Sequence, residues 1–198
     1  MKCLFPRQNL VLVFSAALLL AACGGGGKAK FDIKGEVVGV QYTGLVLTNV
    51  TNGDTVSVPV GAATFKFAKQ MEYGEVYDVQ ILNNANPLHQ NCQVFNGRET
   101  AGRLATVNIG VQCALNTRSL GGKISGLTSD GLVLTNGSDE QVGIAKGATT
   151  FAFGQLLPFG SAYGVTILKQ PTANLCTLTN GVGTMGDVAI DTIAISCL

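Results

Sequence analysis

Tryptophan is absent from this 198-residue chain, histidine occurs once, and charged residues make up only 13%. Each shortage excludes something. A single histidine, His89, cannot supply the three or four nitrogen, sulfur or carboxylate ligands of a zinc site, because the available cysteines have another use. A near balance of 13 basic and 12 acidic residues leaves no electrostatic footprint for nucleic acid. It also leaves no basic face for anionic lipid. Long apolar runs are missing: the longest, Leu10 to Ala22, is too short for a bilayer span of roughly 20 residues. No 12-residue window beyond it carries helical periodicity. What the chain has instead is glycine, 26 of them, and 46% hydrophobic residues, the composition of a turn-rich β protein with packed cores.

The strongest positive feature is an internal duplication. Gly35-Glu36-Val37-Val38-Gly39 returns as Gly122-Lys123-Ile124-Ser125-Gly126, and Gly44-Leu45-Val46-Leu47-Thr48-Asn49 as Gly131-Leu132-Val133-Leu134-Thr135-Asn136. Gly61 to Phe67 returns as Gly147 to Phe153, and the Tyr77, Val79, Ile81 alternation as Tyr163, Val165, Ile167. The offset drifts from 87 to 84, so the second copy is three residues shorter. A period this long suits two small domains and not a solenoid. The expected division is a signal peptide over 1–22, a lipidated cysteine and Gly-rich tether over 23–31, one sandwich over 32–114, a linker over 115–121 and a second sandwich over 122–198.

The N-terminus supplies an address. Lys2 and Arg7 precede the apolar core, and Leu20-Ala21-Ala22-Cys23 follows it. This order resembles the lipobox of bacterial lipoproteins, which implies that Cys23 carries lipid and begins the mature chain. Gly24 follows the cysteine where an inner-membrane retention signal has aspartate, so the outer membrane is expected, with the lipid as the membrane attachment. Loss of Lys2 and Arg7 leaves 11 basic against 12 acidic residues.

Elsewhere the pattern is strand. Tyr77, Val79 and Ile81 alternate with Asp78 and Gln80, the period of two that marks one buried face. Asn52-Gly53-Asp54 between Leu47 and Val56 is a hairpin signal. About seven such strands per copy predict an all-β protein of two tandem Greek-key β-sandwiches of immunoglobulin or transthyretin type. The absence of tryptophan favours the transthyretin type.

Six cysteines are present. Cys3 leaves with the signal peptide and Cys23 is the lipidation site. Cys92 with Cys113, and Cys176 with Cys197, are equally spaced at 21 positions, which predicts one disulfide per domain in an oxidising compartment. A hairpin turning at Gly102-Arg103, and at Gly186-Asp187, would set each pair face to face, with Cys92 in phase with Val94 on the core side.

Other patterns lose on inspection. Gly181-Val182-Gly183-Thr184-Met185-Gly186 has the letters of a dinucleotide-binding loop, but no helix follows to receive a pyrophosphate. His89 lies in a polar loop and is expected to be solvated. Asn52, Asp54, Asp139 and Glu140 lack EF-hand spacing and fit ordinary turns better than calcium. Acidic pairs suited to glycoside hydrolysis are not shared between copies: Asp78 becomes Gly164, Glu72 becomes Pro158 and Glu75 becomes Ser161. Phe65, Phe67, Phe151 and Phe153 alternate and belong in the cores. No catalytic residue, metal or cofactor is expected.

Taken together, Gly-Leu-Val-Leu-Thr-Asn, Phe-x-Phe, Gln170-Pro171, Cys176, Asn180-Gly181-x-Gly183-Thr184 and Cys197 resemble a tandem module of uncharacterised bacterial envelope lipoproteins. The first copy is expected to depart from it at Asn83-Asn84, where Gln-Pro would fall, and at Arg98-Glu99. The resemblance implies a cell-envelope location and a sandwich fold, with no activity. The expected role is a non-catalytic binding module whose partners are the membrane, through its lipid, and an envelope protein or surface ligand. A structural stalk or assembly component without a ligand is the alternative, and an enzyme or enzyme inhibitor is the less favoured third.

Overall fold

Among the described residues, alternating side chains and frequent turns make almost every regular segment a strand. The computed structural model describes residues 27–104, 107–138 and 140–198. The signal peptide (1–22), Cys23, tether residues 24–26 and Asp139 lie outside the described residues. In the first copy the strands are β1 (Lys30–Phe31), β2 (Lys34–Val38), β3 (Val46–Asn49), β4 (Asp54–Ser57), β5 (Thr64–Lys66), β6 (Met71–Glu72), β7 (Val76–Ile81), β8 (Gln90–Phe95), β9 (Arg98–Thr100) and β10 (Ile109–Leu115). The second copy repeats them in order as β11 (Thr117–Arg118), β12 (Leu120–Ser125), β13 (Leu132–Asn136), β14 (Glu140–Ile144), β15 (Thr150–Ala152), β16 (Leu157–Pro158), β17 (Ala162–Lys169), β18 (Cys176–Thr179), β19 (Val182–Thr184) and β20 (Ile190–Cys197).

Each copy is a sandwich of two four-stranded sheets. In the first, the order β5-β2-β10-β8 faces β4-β3-β7-β9, and β1-β6 forms a short ribbon. The second repeats all three as β15-β12-β20-β18, β14-β13-β17-β19 and β11-β16. The protein is therefore two tandem Greek-key β-sandwiches, as the duplication predicted. Within the two large sheets of each domain, the parallel pair joins the first long strand to the last, β2 to β10 and β12 to β20. Glycine permits that pairing. A Cβ on Gly35 would sit 2.2 Å from the Ile109 carbonyl oxygen, and one on Gly122 would sit 2.1 Å from that of Ile193.

Two separate cores result. Val37, Ile109 and Val111 from one sheet meet Leu47, Tyr77 and Val79 from the other, with Phe65 and Phe67 between them. Ile124, Ile193 and Ile195 meet Leu134, Tyr163 and Val165 in the second domain, with Phe151 and Phe153. Each such side chain contributes about 1.5–3 kcal/mol when fully removed from water. The phenylalanine pairs are edge-to-face, at 5.8 Å and 6.0 Å between ring centroids, and are core residues as predicted.

Little chain separates the domains. Of residues 115–121, expected as a linker, Leu115 closes β10, Thr117 and Arg118 form β11, and Leu120 and Gly121 open β12. Only Asn116 and Ser119 lie outside strands, and Leu120 is buried in the second core.

Candidate functional site

Both predicted disulfides are present, with Cys92 directly opposite Cys113 and Cys176 opposite Cys197 across antiparallel strands. All four cysteines are buried within the cores. The predicted hairpins between them are not formed. After β8 the chain crosses to the opposite sheet as β9, pairs with β7, and only then returns as β10; β19 makes the same excursion against β17. Apolar alternation in β8 and β10 identifies the bridge strands, but the short β9 carries no such pattern.

The glycine run at 181–186 belongs to that excursion. Gly181 accepts the Val165 N–H, and Gly97 accepts that of Val79 in the same way. A Cβ on Gly181 would lie 2.5 Å from the Val165 carbonyl oxygen, and one on Gly97 would lie 2.4 Å from that of Val79. These glycines allow a loop to press against a strand.

The turn acids are backbone clasps. Asp54 accepts N–H bonds from Thr55 and Lys69, and Glu140 accepts them from Gly154 and Gln155. Asn52 accepts the Asp54 N–H in an Asx-turn. Asp78 lies against Arg98, not beside Glu72 or Glu75. Among the described residues no three His, Cys, Asp or Glu side chains converge to hold a metal ion.

Among the described residues a cluster joining chemically distinctive side chains lies between the domains, and sequence reasoning missed it. His89 is not a solvated loop residue. Its ring stacks on Phe159 of the second domain, 3.7 Å between centroids and 6° from parallel. Tyr42 stands edge-on to both rings, at 4.9 Å from His89 and 5.9 Å from Phe159. The Nδ1 atom of His89 lies 2.5 Å from Oδ2 of Asp187. Asp187 also accepts a hydrogen bond from Asn116, and its carbonyl accepts one from Arg118 Nε. Burial lifts the Asp187 carboxyl, but hydrogen bonds from Asn116 and His89, with the charges of His89 and Arg118, outweigh it and hold its pKa below the ordinary carboxylate value.

Local structure places each of these groups. Gln90, almost wholly buried, accepts the Gln41 and Tyr42 N–H groups and donates to the Gly39 carbonyl, fixing the loop that carries Tyr42. Asn86 accepts the Cys92 N–H at 2.7 Å, as Gln170 accepts that of Cys176 at 2.9 Å. Asn86-Pro87, and not Asn83-Asn84, is thus the counterpart of Gln170-Pro171. The two additional residues lie before Asn86. Main-chain bonds then tie the domains: Asn116 donates to the His89 carbonyl and Phe159 donates to that of Asn116, both at 2.8 Å.

Beside this junction a crevice of about 440 Å³ opens on the outward face of β8 and β10, lined by Asn91, Gln93, Phe95, Gln112, Asn116 and Arg118 among others.

No protein-family model matches the chain, and no curated protein matches it. Among solved structures it is similar to the major pilin protein T-13 from Streptococcus pyogenes serotype GAS131465, with 11% identity and a TM-score of 0.30, over 86% of this chain and 97% of the pilin. It is also similar to the major pilin protein T3.2 from Streptococcus pyogenes serotype GAS13637, with 11% identity and a TM-score of 0.25, over 86% and 96%. Likenesses this distant say nothing of what the chain does.

Proposed function

We propose that this protein is a lipid-anchored component of the bacterial cell envelope, held at the outer membrane by Cys23, whose two sandwiches form a fixed tandem acting as a non-catalytic binding module. The resemblance to tandem transthyretin- or immunoglobulin-like modules of envelope lipoproteins belongs to this reading. The order of Lys2, Arg7, the apolar core and Leu20-Ala21-Ala22-Cys23 supports the anchor. The junction supports the rest. Freely jointed domains need only a flexible linker; here Tyr42, His89, Phe159 and Asp187 interlock across a connection with two residues outside strands. Such an arrangement keeps the outward faces of both domains in one relation to each other.

The same short connection favours a second reading, a stalk that sets a distance from the membrane without a ligand. Crosslinking in intact cells followed by purification separates the two: a reproducible stoichiometric partner supports the binding module, and none supports the stalk. A Cys23→Ser variant tests the anchor. It should leave the membrane fraction or accumulate as uncleaved precursor; normal processing with continued membrane pelleting would show that something other than lipid holds it.

A further inference from the structure

We propose that the outward face of the first domain around Gln93, Phe95 and Gln112 binds a neutral oligosaccharide; this rests on the binding-module reading and names its ligand class. The register fixes the layout. Gly110 lies between Glu36 and Phe95, and on the next rung of the same face Gln112 lies between Val38 and Gln93. Gly110 leaves a bare floor: a Cβ there would meet only Phe95, at 3.9 Å. Over it a recess of about 320 Å³, bordered by Glu36, Val38, Phe95 and Gln112, adjoins the 440 Å³ crevice through their shared Phe95 and Gln112. Together they have the size of a small-molecule site. Phe95 is 46% exposed and Val38 64%.

The chemistry suits a sugar. Side-chain amides carry both donors and an acceptor, which matches vicinal hydroxyls, and an open aromatic ring accepts the C–H face of a pyranose. The side-chain amides of Gln93 and Gln112 form no hydrogen bond with any other described residue. Arg118, the cation that borders the crevice, already donates to the carbonyls of Asp187 and Thr117. The second domain is an internal control. Its equivalent rungs carry Lys123, Ala194 and Thr179, then Ser125, Ser196 and Thr177. There the hydroxyls of Ser125, Thr177 and Thr179 turn back onto main-chain carbonyls. One scaffold thus has a self-satisfied small-residue face in one copy and an amide-and-aromatic face in the other.

Saturation-transfer NMR on the full chain in phosphocholine micelles, with maltohexaose, cellohexaose and chitohexaose as probes, tests the proposal. At least one probe should receive saturation at its ring C–H protons. Phe95→Ala should weaken that binding about tenfold or more, as should Gln93→Ala with Gln112→Ala. Thr177→Ala with Thr179→Ala should leave it unchanged. Phe95 lies outside the core, so an unaltered melting temperature confirms that its loss acts on the site. Silence from all three probes, or binding indifferent to Phe95→Ala, overturns the proposal. In that event a stoichiometric partner in the crosslinking experiment leaves the binding-module reading standing, whereas its absence removes both.

Discussion

Replacing Phe159 by alanine removes the ring that stacks on His89 at 3.7 Å and meets Tyr42 edge-on at 5.9 Å. None of these three rings belongs to either core, so each sandwich should keep its own stability. What changes is docking. An aromatic pair in this geometry contributes about 0.5–1.5 kcal/mol beyond its buried area, so a mid-range loss shifts the docked-to-undocked ratio roughly fivefold. The main-chain bonds through Asn116 and the Arg118 contact to Asp187 remain, which widens the domains' mutual orientation without separating them. Residual dipolar couplings read this directly: one alignment tensor should fit both domains in the wild type, and two should be needed for Phe159→Ala. A double-mutant cycle with His89→Ala isolates the ring contact, because the lost Asp187 partner cancels between the two arms. Coupling near 1 kcal/mol is expected. Coupling within about 0.3 kcal/mol of zero, with a single tensor retained, would refute the reasoning and leave rigidity to the backbone alone.

Changing Cys176 and Cys197 together to alanine opens a loop of about 22 residues and should cost the second domain about 3 kcal/mol, seen as a lowered melting temperature with the first domain's transition little changed. Non-reducing peptide mapping should recover Cys92–Cys113 and Cys176–Cys197 and no interdomain linkage. Gly122→Ala forces a methyl to within 2.1 Å of the Ile193 carbonyl and should destabilise by about 3 kcal/mol or more, whereas Gly143→Ala, with open space around its Cβ, should change denaturant midpoints little. Because the folded-state pKa of Asp187 is depressed, its contribution to the junction is complete above the unfolded-state carboxylate value and is lost as pH falls through the lower folded value. Dipolar couplings recorded down that acid range should change in the wild type and stay level in Asp187→Asn.

Much of the fold was legible because duplication and period-two alternation are local signals. The Tyr77, Val79, Ile81 run and its copy give strand faces. The 21-residue cysteine spacing, stated twice, gives the bridges. Strand β9 was not legible, since three residues without an apolar alternation bear no mark of the sheet they join. The counterpart of Gln170-Pro171 falls three residues later than the sequence pattern places it, because an insertion before Asn86 shifts the register and only the hydrogen bond to Cys92 reveals the equivalence. The junction was hidden for a different reason. Tyr42, His89, Phe159 and Asp187 come from four loops and meet only when two finished domains dock. One signal could have pointed there: at each of these positions the copies diverge, Tyr42 against Ser129, His89 against Ala173, Phe159 against Tyr73 and Asp187 against Arg103.

That divergence separates framework from individuality. Several polar side chains do the same work in both domains under different names. Gln90 and Asn174 each accept main-chain N–H groups of the neighbouring loop, Asn86 and Gln170 hold the disulfide strand, and Asp54 and Glu140 close a turn. Asn49 and Asn136 keep even their identity, each accepting the N–H at the same point of the facing strand. Residues of this kind can change while their hydrogen bond persists, so a difference there leaves the framework as it is. The remaining differences have no framework role to replace: the rings and the His89–Asp187 contact that dock the domains, and the amides and aromatic ring on β8 and β10. The two sets adjoin, because Asn116 and Arg118, which hydrogen-bond Asp187, also border the crevice beside Gln93 and Phe95. A ligand in the crevice would therefore touch residues that fix the domains' orientation.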